Sequence, residues 1–202
     1  MKIRILHFII FCGALCCQIC NATESELAMT ETNQKVDEKY SATFGENTVY
    51  FSTQNAQEQF VKMTKKYRAY QQYSEKISVN LMNTLKETRT ELGKTREAAT
   101  NDKGCDTKRA LSYLTKLKNQ LEDMFEASPN MRKAYNHVSQ VEVAISGMSL
   151  SNDDTGEKSR YWDECKEAFN NCIDAIKEAR NDVDQKRDEY FAQINNIIES
   201  KK

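Results

Sequence analysis

The chain has 202 residues, with 29 basic and 30 acidic side chains for a net charge of −1. That balance exerts no global pull on nucleic acid or an anionic membrane, and the length suits one domain with its own core. Six glycines and one proline leave too few turn residues for a β-rich fold, so the composition points to an all-helical chain.

The first residues, MKIRILHFIIFCGALCCQICNATESE, set Lys2 and Arg4 ahead of an apolar run from Ile5 to Cys17, then place Cys20 and Ala22 as small residues before a cut. This is the pattern of a secretory signal over 1–22, cleaved after Ala22, and the run is short of the ~20 residues that span a bilayer. No later segment is apolar enough to stop transfer. The expectation is a secreted, extracellular protein with no membrane span. Lys2, Arg4, Cys12, Cys16, Cys17 and Cys20 leave with the signal, so the net charge becomes about −3 and Cys105, Cys165 and Cys172 remain. The one glycosylation sequon, Asn21-Ala22-Thr23, straddles the cut, which predicts no N-glycan.

Residues 23–51 show weak periodicity around Leu27, Val36 and Tyr40 and read as a weakly structured arm or a short helix ahead of a helical domain over 52–202. From Phe60, apolar or small residues recur at Met63, Tyr67, Tyr70, Ser74, Ile77, Leu81, Leu85 and Thr88, the spacing of one helical face. Ser52 or Thr53 is the natural N-cap, and the helix should run to about Thr100, where Asn-Asp-Lys-Gly breaks it. Asp106 can cap a second helix carrying Ala110, Leu114, Leu117, Leu121 and Met124. At Ser128-Pro129 an N-cap is followed by a preferred first helical residue, so a third helix starts there, carries Met131, Tyr135, Val138, Val141 and Ile145, and ends near Gly147. SLSNDDTGEKS, 149–159, reads as a polar loop. The last helix bears Trp162, Cys165, Phe169, Cys172, Ile176, Ala179, Val183, Tyr190, Ile194 and Ile197 on its stripe.

Cys165 and Cys172 are seven residues apart on one helix, roughly 10 Å at ~1.5 Å per residue, and cannot pair with each other. If Pro129 only kinks the middle segment, three rods form an up-down-up bundle and Cys105 lies a rod away from Cys165. If the chain reverses there, helices 107–127 and 130–147 make a hairpin that returns toward Cys105. Secreted cysteines in a folded chain usually pair, which favours the reversal. The expected fold is an elongated, all-α antiparallel bundle in which two long helices carry a shorter helical hairpin at one end, with one disulfide. A Cys105–Cys165 bond would close about 60 residues, worth ~4 kcal/mol in the chain-entropy model. Cys172 is the alternative partner, and otherwise a buried apolar residue.

Chemistry is sparse. His137, the sole histidine after the signal, excludes a histidine-rich zinc site, and cysteines on a core stripe make poor nucleophiles. No phosphate loop or nucleophile elbow is present, and Glu122-Asp123 is one acidic pair among many on a solvated face. Asn152 to Glu157 lacks the alternating ligands of an EF-hand. No enzyme activity, metal or cofactor is expected. KMTKKYRAYQQY, 62–73, is the sharpest local feature: Lys62, Lys65, Lys66 and Arg68 surround Tyr67, Tyr70 and Tyr73, either as a polyanion site or as cations that solvate a core stripe.

The cysteine-containing leader, the helix-only mature chain and the W-x-x-C-x6-C helix of Trp162, Cys165 and Cys172 resemble secreted proteins of biting flies and mosquitoes, namely the tsetse EP-like domain and related helical salivary proteins, including the neutrophil-stimulating kind. The resemblance implies a non-enzymatic salivary effector that modulates host leukocytes, inflammation or haemostasis through a protein receptor or host cell surface. The other function open to the sequence is a carrier holding a lipid or small apolar ligand among Met124, Phe125, Trp162 and Phe169.

Overall fold

A computed structural model describes residues 40–100, 106–151 and 156–201, all within one compact unit, Val36–Lys202. Two strands, β1 (Tyr40–Phe44) and β2 (Asn47–Phe51), precede five helices: α1 (Gln54–Lys76), α2 (Met82–Thr100), α3 (Lys108–Glu122), α4 (Pro129–Leu150) and α5 (Glu157–Glu199). The described residues thus form a mostly helical bundle with one small sheet.

The hairpin corrects the expectation of a helix or weakly structured arm over its residues. Tyr40 lies opposite Phe51, Ala42 opposite Val49 and Phe44 opposite Asn47. The connection is two residues, Gly45-Glu46, and Gly45 sits at φ +58°, the left-handed conformation that short hairpin turns demand. Strand alternation puts Tyr40, Ala42, Phe44, Val49 and Phe51 on one face, which packs on Phe60 of α1 and Ile194 and Ile198 of α5. The remainder of the expected arm, 23–39, and the signal lie outside the described residues.

Thr53 caps α1, its Oγ1 accepting from the Ala56 N–H at 3.2 Å. The helix then continues as one rod to Thr100, interrupted by a single π turn over Ile77–Leu81, where the Met82 N–H bonds the Ile77 carbonyl. At ~1.5 Å per residue the whole stretch is about 70 Å long. The π turn marks a change of neighbours: α1 packs along α5, whereas α2 packs mainly against α3. Two fully buried side chains, Ile77 and Leu81, flank the widened turn. On α2 the buried stripe is rich in threonine, and the hydroxyls of Thr88 and Thr95 satisfy themselves on the carbonyls of Thr84 and Glu91 one turn earlier.

The chain does reverse at Ser128-Pro129. Ser128 Oγ accepts from the Asn130 N–H at 3.1 Å with Pro129 as the first helical residue. Lys118 meets Glu142 at 2.8 Å, and Phe125 meets Tyr135 ring to ring, so α3 and α4 run antiparallel. Cross-helix pairs fix the rest. Tyr67–Phe191, Ser74–Asp184, Arg89–Phe169 and Arg96–Trp162 run α1 and α2 antiparallel to α5. One end is therefore a four-helix arrangement of α2, α3, α4 and the first half of α5, and the other is an α1–α5 pair covered by the hairpin.

Two expectations at the sequence's helix ends are revised. α4 runs to Leu150, and Gly147 lies inside it, where the Tyr161 ring packs so close that a Cβ would stand 2.5 Å from it. Gly147 is thus an approach site between α4 and α5 and not a helix stop. The disulfide is not supported: Cys165 and Cys172 are free thiols buried in the bundle core, and Cys105 lies outside the described residues. Both sulfurs face the packed interior with the aliphatic stripe of α5, as expected of Cys172 alone. Among the described residues no helix is long and apolar enough to cross a membrane.

Candidate functional site

Two thiols and one histidine are the first side chains to weigh for covalent or acid–base chemistry. Burial pushes the thiols of Cys165 and Cys172 up to about 12, so neither is a thiolate at neutral pH. His137 is half-buried on α4 and shares a 3.0 Å hydrogen bond with Gln140 three residues on. Glu91, which the sequence reading passed over, is a buried carboxylate 2.8 Å from Lys94 and 3.1 Å from Arg109, and it ties α2 to the start of α3. Its place in the helical stripe beside Leu92 was the available signal. Among the described residues no group of three or more His, Cys, Asp or Glu side chains could hold a metal ion.

The four residues expected to line an apolar pocket do not come together. Trp162 lies at the start of α5 under the Arg96 guanidinium, 5.2 Å from its ring, and Phe169 lies two turns on beneath Arg89. Met124 is buried and Phe125 half-buried at the α3–α4 turn, which packs beside Asp182 through Ser128 and Asn130. Asp182 is 20 residues beyond Trp162 on the same helix, about 30 Å at ~1.5 Å per residue. The space near Phe125 is an open groove between the α3–α4 turn and α5, lined by Tyr70, Arg132 and Lys186 as well as Asp182.

In the 62–73 segment the structure separates rings from cations. Tyr67 meets Phe44 of β1 edge-on and Phe191 at a tilt, and Tyr70 meets Tyr73 edge-on and Tyr190 at a tilt, so these rings are taken up where α1 meets α5 and the hairpin. Lys62, Lys65, Lys66 and Arg68 stay exposed, with Lys66 reaching over the Tyr190 ring at 5.5 Å.

A further surface lies at the bundle end. Between α4 and α5 runs an open groove of about 590 Å³ whose walls include His137, Gln140, Val143, Glu164, Glu167 and Asn171. Val143 is 70% exposed within it, and Leu150, 85% exposed, ends the same helix. A valine left in water on a helix whose inner face buries Val138, Val141 and Ile145 contributes nothing to the core. Sequence reasoning missed it, although its position off the Val138–Val141–Ile145 stripe was the signal. The arrangement offers an apolar contact rimmed by carboxylates and amides.

No family model, curated protein or solved structure matches this chain.

Proposed function

We propose that the chain is a secreted, non-enzymatic interaction protein that docks a protein receptor on a host cell through the α4–α5 groove. The observation that carries this reading is the α4–α5 groove, where Val143, exposed on a helix that otherwise buries its valines, shares the lining with Glu164 and Glu167. Secretion rests on the leader-like sequence at 1–22. The resemblance to fly and mosquito salivary proteins supplies the setting, an effector acting on leukocytes, inflammation or haemostasis at a bite.

Fluorescently labelled protein, secreted from insect cells, tests the proposal on leukocytes. Binding is expected to saturate, to be displaced by unlabelled protein, and to weaken about tenfold or more in Val143→Glu, since a charge at the centre of a docking surface must be desolvated. Unsaturable binding, or a Val143→Glu variant that folds and binds as well as the parent, would overturn it.

A further inference from the structure

The outer face of α1 carries a run of exposed cations, of which Lys66 alone reaches a ring of the seam, that of Tyr190. From Gln59 to Ser74 the sequence holds Lys62, Lys65, Lys66 and Arg68 and no carboxylate. Among the described residues none of the four sits in a salt bridge, whereas Lys177, Arg180, Lys186 and Arg187 on α5 each hold an acid. At about 100° per residue, Arg68, Lys65, Lys62 and Lys66 follow one another around α1 at spacings of three and four, on the side turned away from Phe60, Tyr67 and Ser74. Like charges at those spacings repel, and the nearest acids on the helix, Glu58 four residues before Lys62 and Glu75 seven after Arg68, are bonded to Gln54 and Gln71. Across the seam residues 190–198 of α5 are uncharged, and Glu189 before them is held by Lys186. A protein of net charge −1 thus concentrates a basic surface on one helix face.

What surrounds the cations selects the kind of polyanion. The rings of Tyr67 and Tyr70 are committed to the seam, so they offer no free platform on which unpaired bases could stack. None of the exposed large hydrophobics lies on α1, so nothing there would insert into lipid. Gln59 and Gln72, both exposed, supply amides instead, suited to hydroxyl and carboxylate oxygens between anionic groups. We propose that Lys62, Lys65, Lys66 and Arg68 form a binding surface for a sulfated polysaccharide. This surface is on a different helix from the receptor groove and goes beyond that reading.

The full secreted chain, applied to immobilised heparin at about 0.15 M NaCl, is expected to be retained. Replacing all four cations by Gln should weaken heparin binding about tenfold or more and flatten its salt dependence, because fewer counterions are released. Their replacement by Arg or Lys, keeping charge, should preserve retention. A Lys133→Gln, Lys166→Gln variant, which removes exposed cations from α4 and α5, should behave as the parent. Passage of the parent through the column, equal retention of the four-Gln variant, or equal affinity for desulfated heparin, single-stranded RNA or phosphatidylserine vesicles would each overturn the proposal. Val143→Glu leaves α1 intact, so its heparin retention should be normal even where its cell binding is lost, and the two readings fail separately.

Discussion

The two ends of this structure solve the same burial problem with different materials. At the bundle end, α2, α3, α4 and α5 surround an aliphatic and methionine interior in which Leu114, Leu117, Leu121, Met131, Ile145 and Met148 are all fully buried. At the other end only α1 and α5 meet, and two helices cannot enclose a stripe on their own. There the stripe turns aromatic, with Phe44, Tyr67 and Phe191 in mutual contact and Phe51 against Phe60, and the hairpin of β1 and β2 is laid over it. Large rings bury more area per residue than aliphatic chains, which suits an end with fewer elements to supply it. Four helices provide walls; two helices need a lid.

Truncating the core at each end should expose that difference most strongly. Leu117→Ala, in the four-helix interior, is expected to cost about 2–5 kcal/mol, and Phe60→Ala, beneath the hairpin, about 3–5 kcal/mol. The costs are similar, but their reach is not. Hydrogen exchange should show Leu117→Ala lowering protection across α2 to α5, whereas Phe60→Ala should free residues 40–51 and the ends of α1 and α5 while the bundle keeps its protection. Uniform loss of protection in both variants would mean that the ends unfold as one unit and that the contrast has no energetic content.

The buried thiols give a second way to sharpen it, because both lie at the bundle end. An unfolded cysteine loses its proton near pH 8.5, whereas burial holds Cys165 and Cys172 up to about 12. Between those values the folded state binds more protons than the unfolded one, so stability is complete below about pH 8.5 and falls as pH rises toward 12. One pH unit into that window the loss is on the order of 1 kcal/mol per thiol. Urea midpoints measured from pH 8 to 10 should fall in the parent and fall less in a Cys165→Ala, Cys172→Ala variant. Rapid labelling of both thiols in the native protein at pH 8 would contradict their burial outright.

How far each end could be read from sequence follows from the same contrast. The bundle was legible because its signals are local and redundant: Ser128-Pro129 announces a new helix start, Asp106 caps at the Lys108 N–H, and the Ala110–Leu114–Leu117–Leu121 stripe repeats at helical spacing. The hairpin was not, since YSATF and NTVYF are only five residues each and stand beside a weak helical pattern. Gly45 between two β-branched and aromatic runs was its one clear mark. The π turn was invisible because Ile77 and Leu81, four apart, fit an ordinary helical face equally well. The disulfide was an inference from compartment and not from geometry, and the core residues around Cys165 hold it without a covalent partner. Of the candidate surfaces, the cations of α1 were plain in the sequence, but their separation from Tyr67 and Tyr70 depended on which side of the helix meets α5.

The smallest expected effect sits where hairpin and rod join. Thr53 Oγ1 satisfies the Ala56 N–H at the first turn of α1, one of the orphan donors every helix start must place. In the same turn Gln57 Nε2 donates to the Ser41 carbonyl of β1 at 2.6 Å, so the cap and the hairpin share their anchorage. Thr53→Ala should therefore cost about 1 kcal/mol, the usual value of a lost N-cap. If the two ends are separable, that loss should appear as faster exchange at the first turn of α1 and in β1, with the urea midpoint of the bundle hardly moved. A Thr53→Ser variant, which keeps the oxygen, should restore the parent's exchange. If Thr53→Ala instead lowers protection around Leu114 and Val141, the hairpin stabilises the bundle through the whole length of the α1–α2 rod, and the lid is part of the core that it covers.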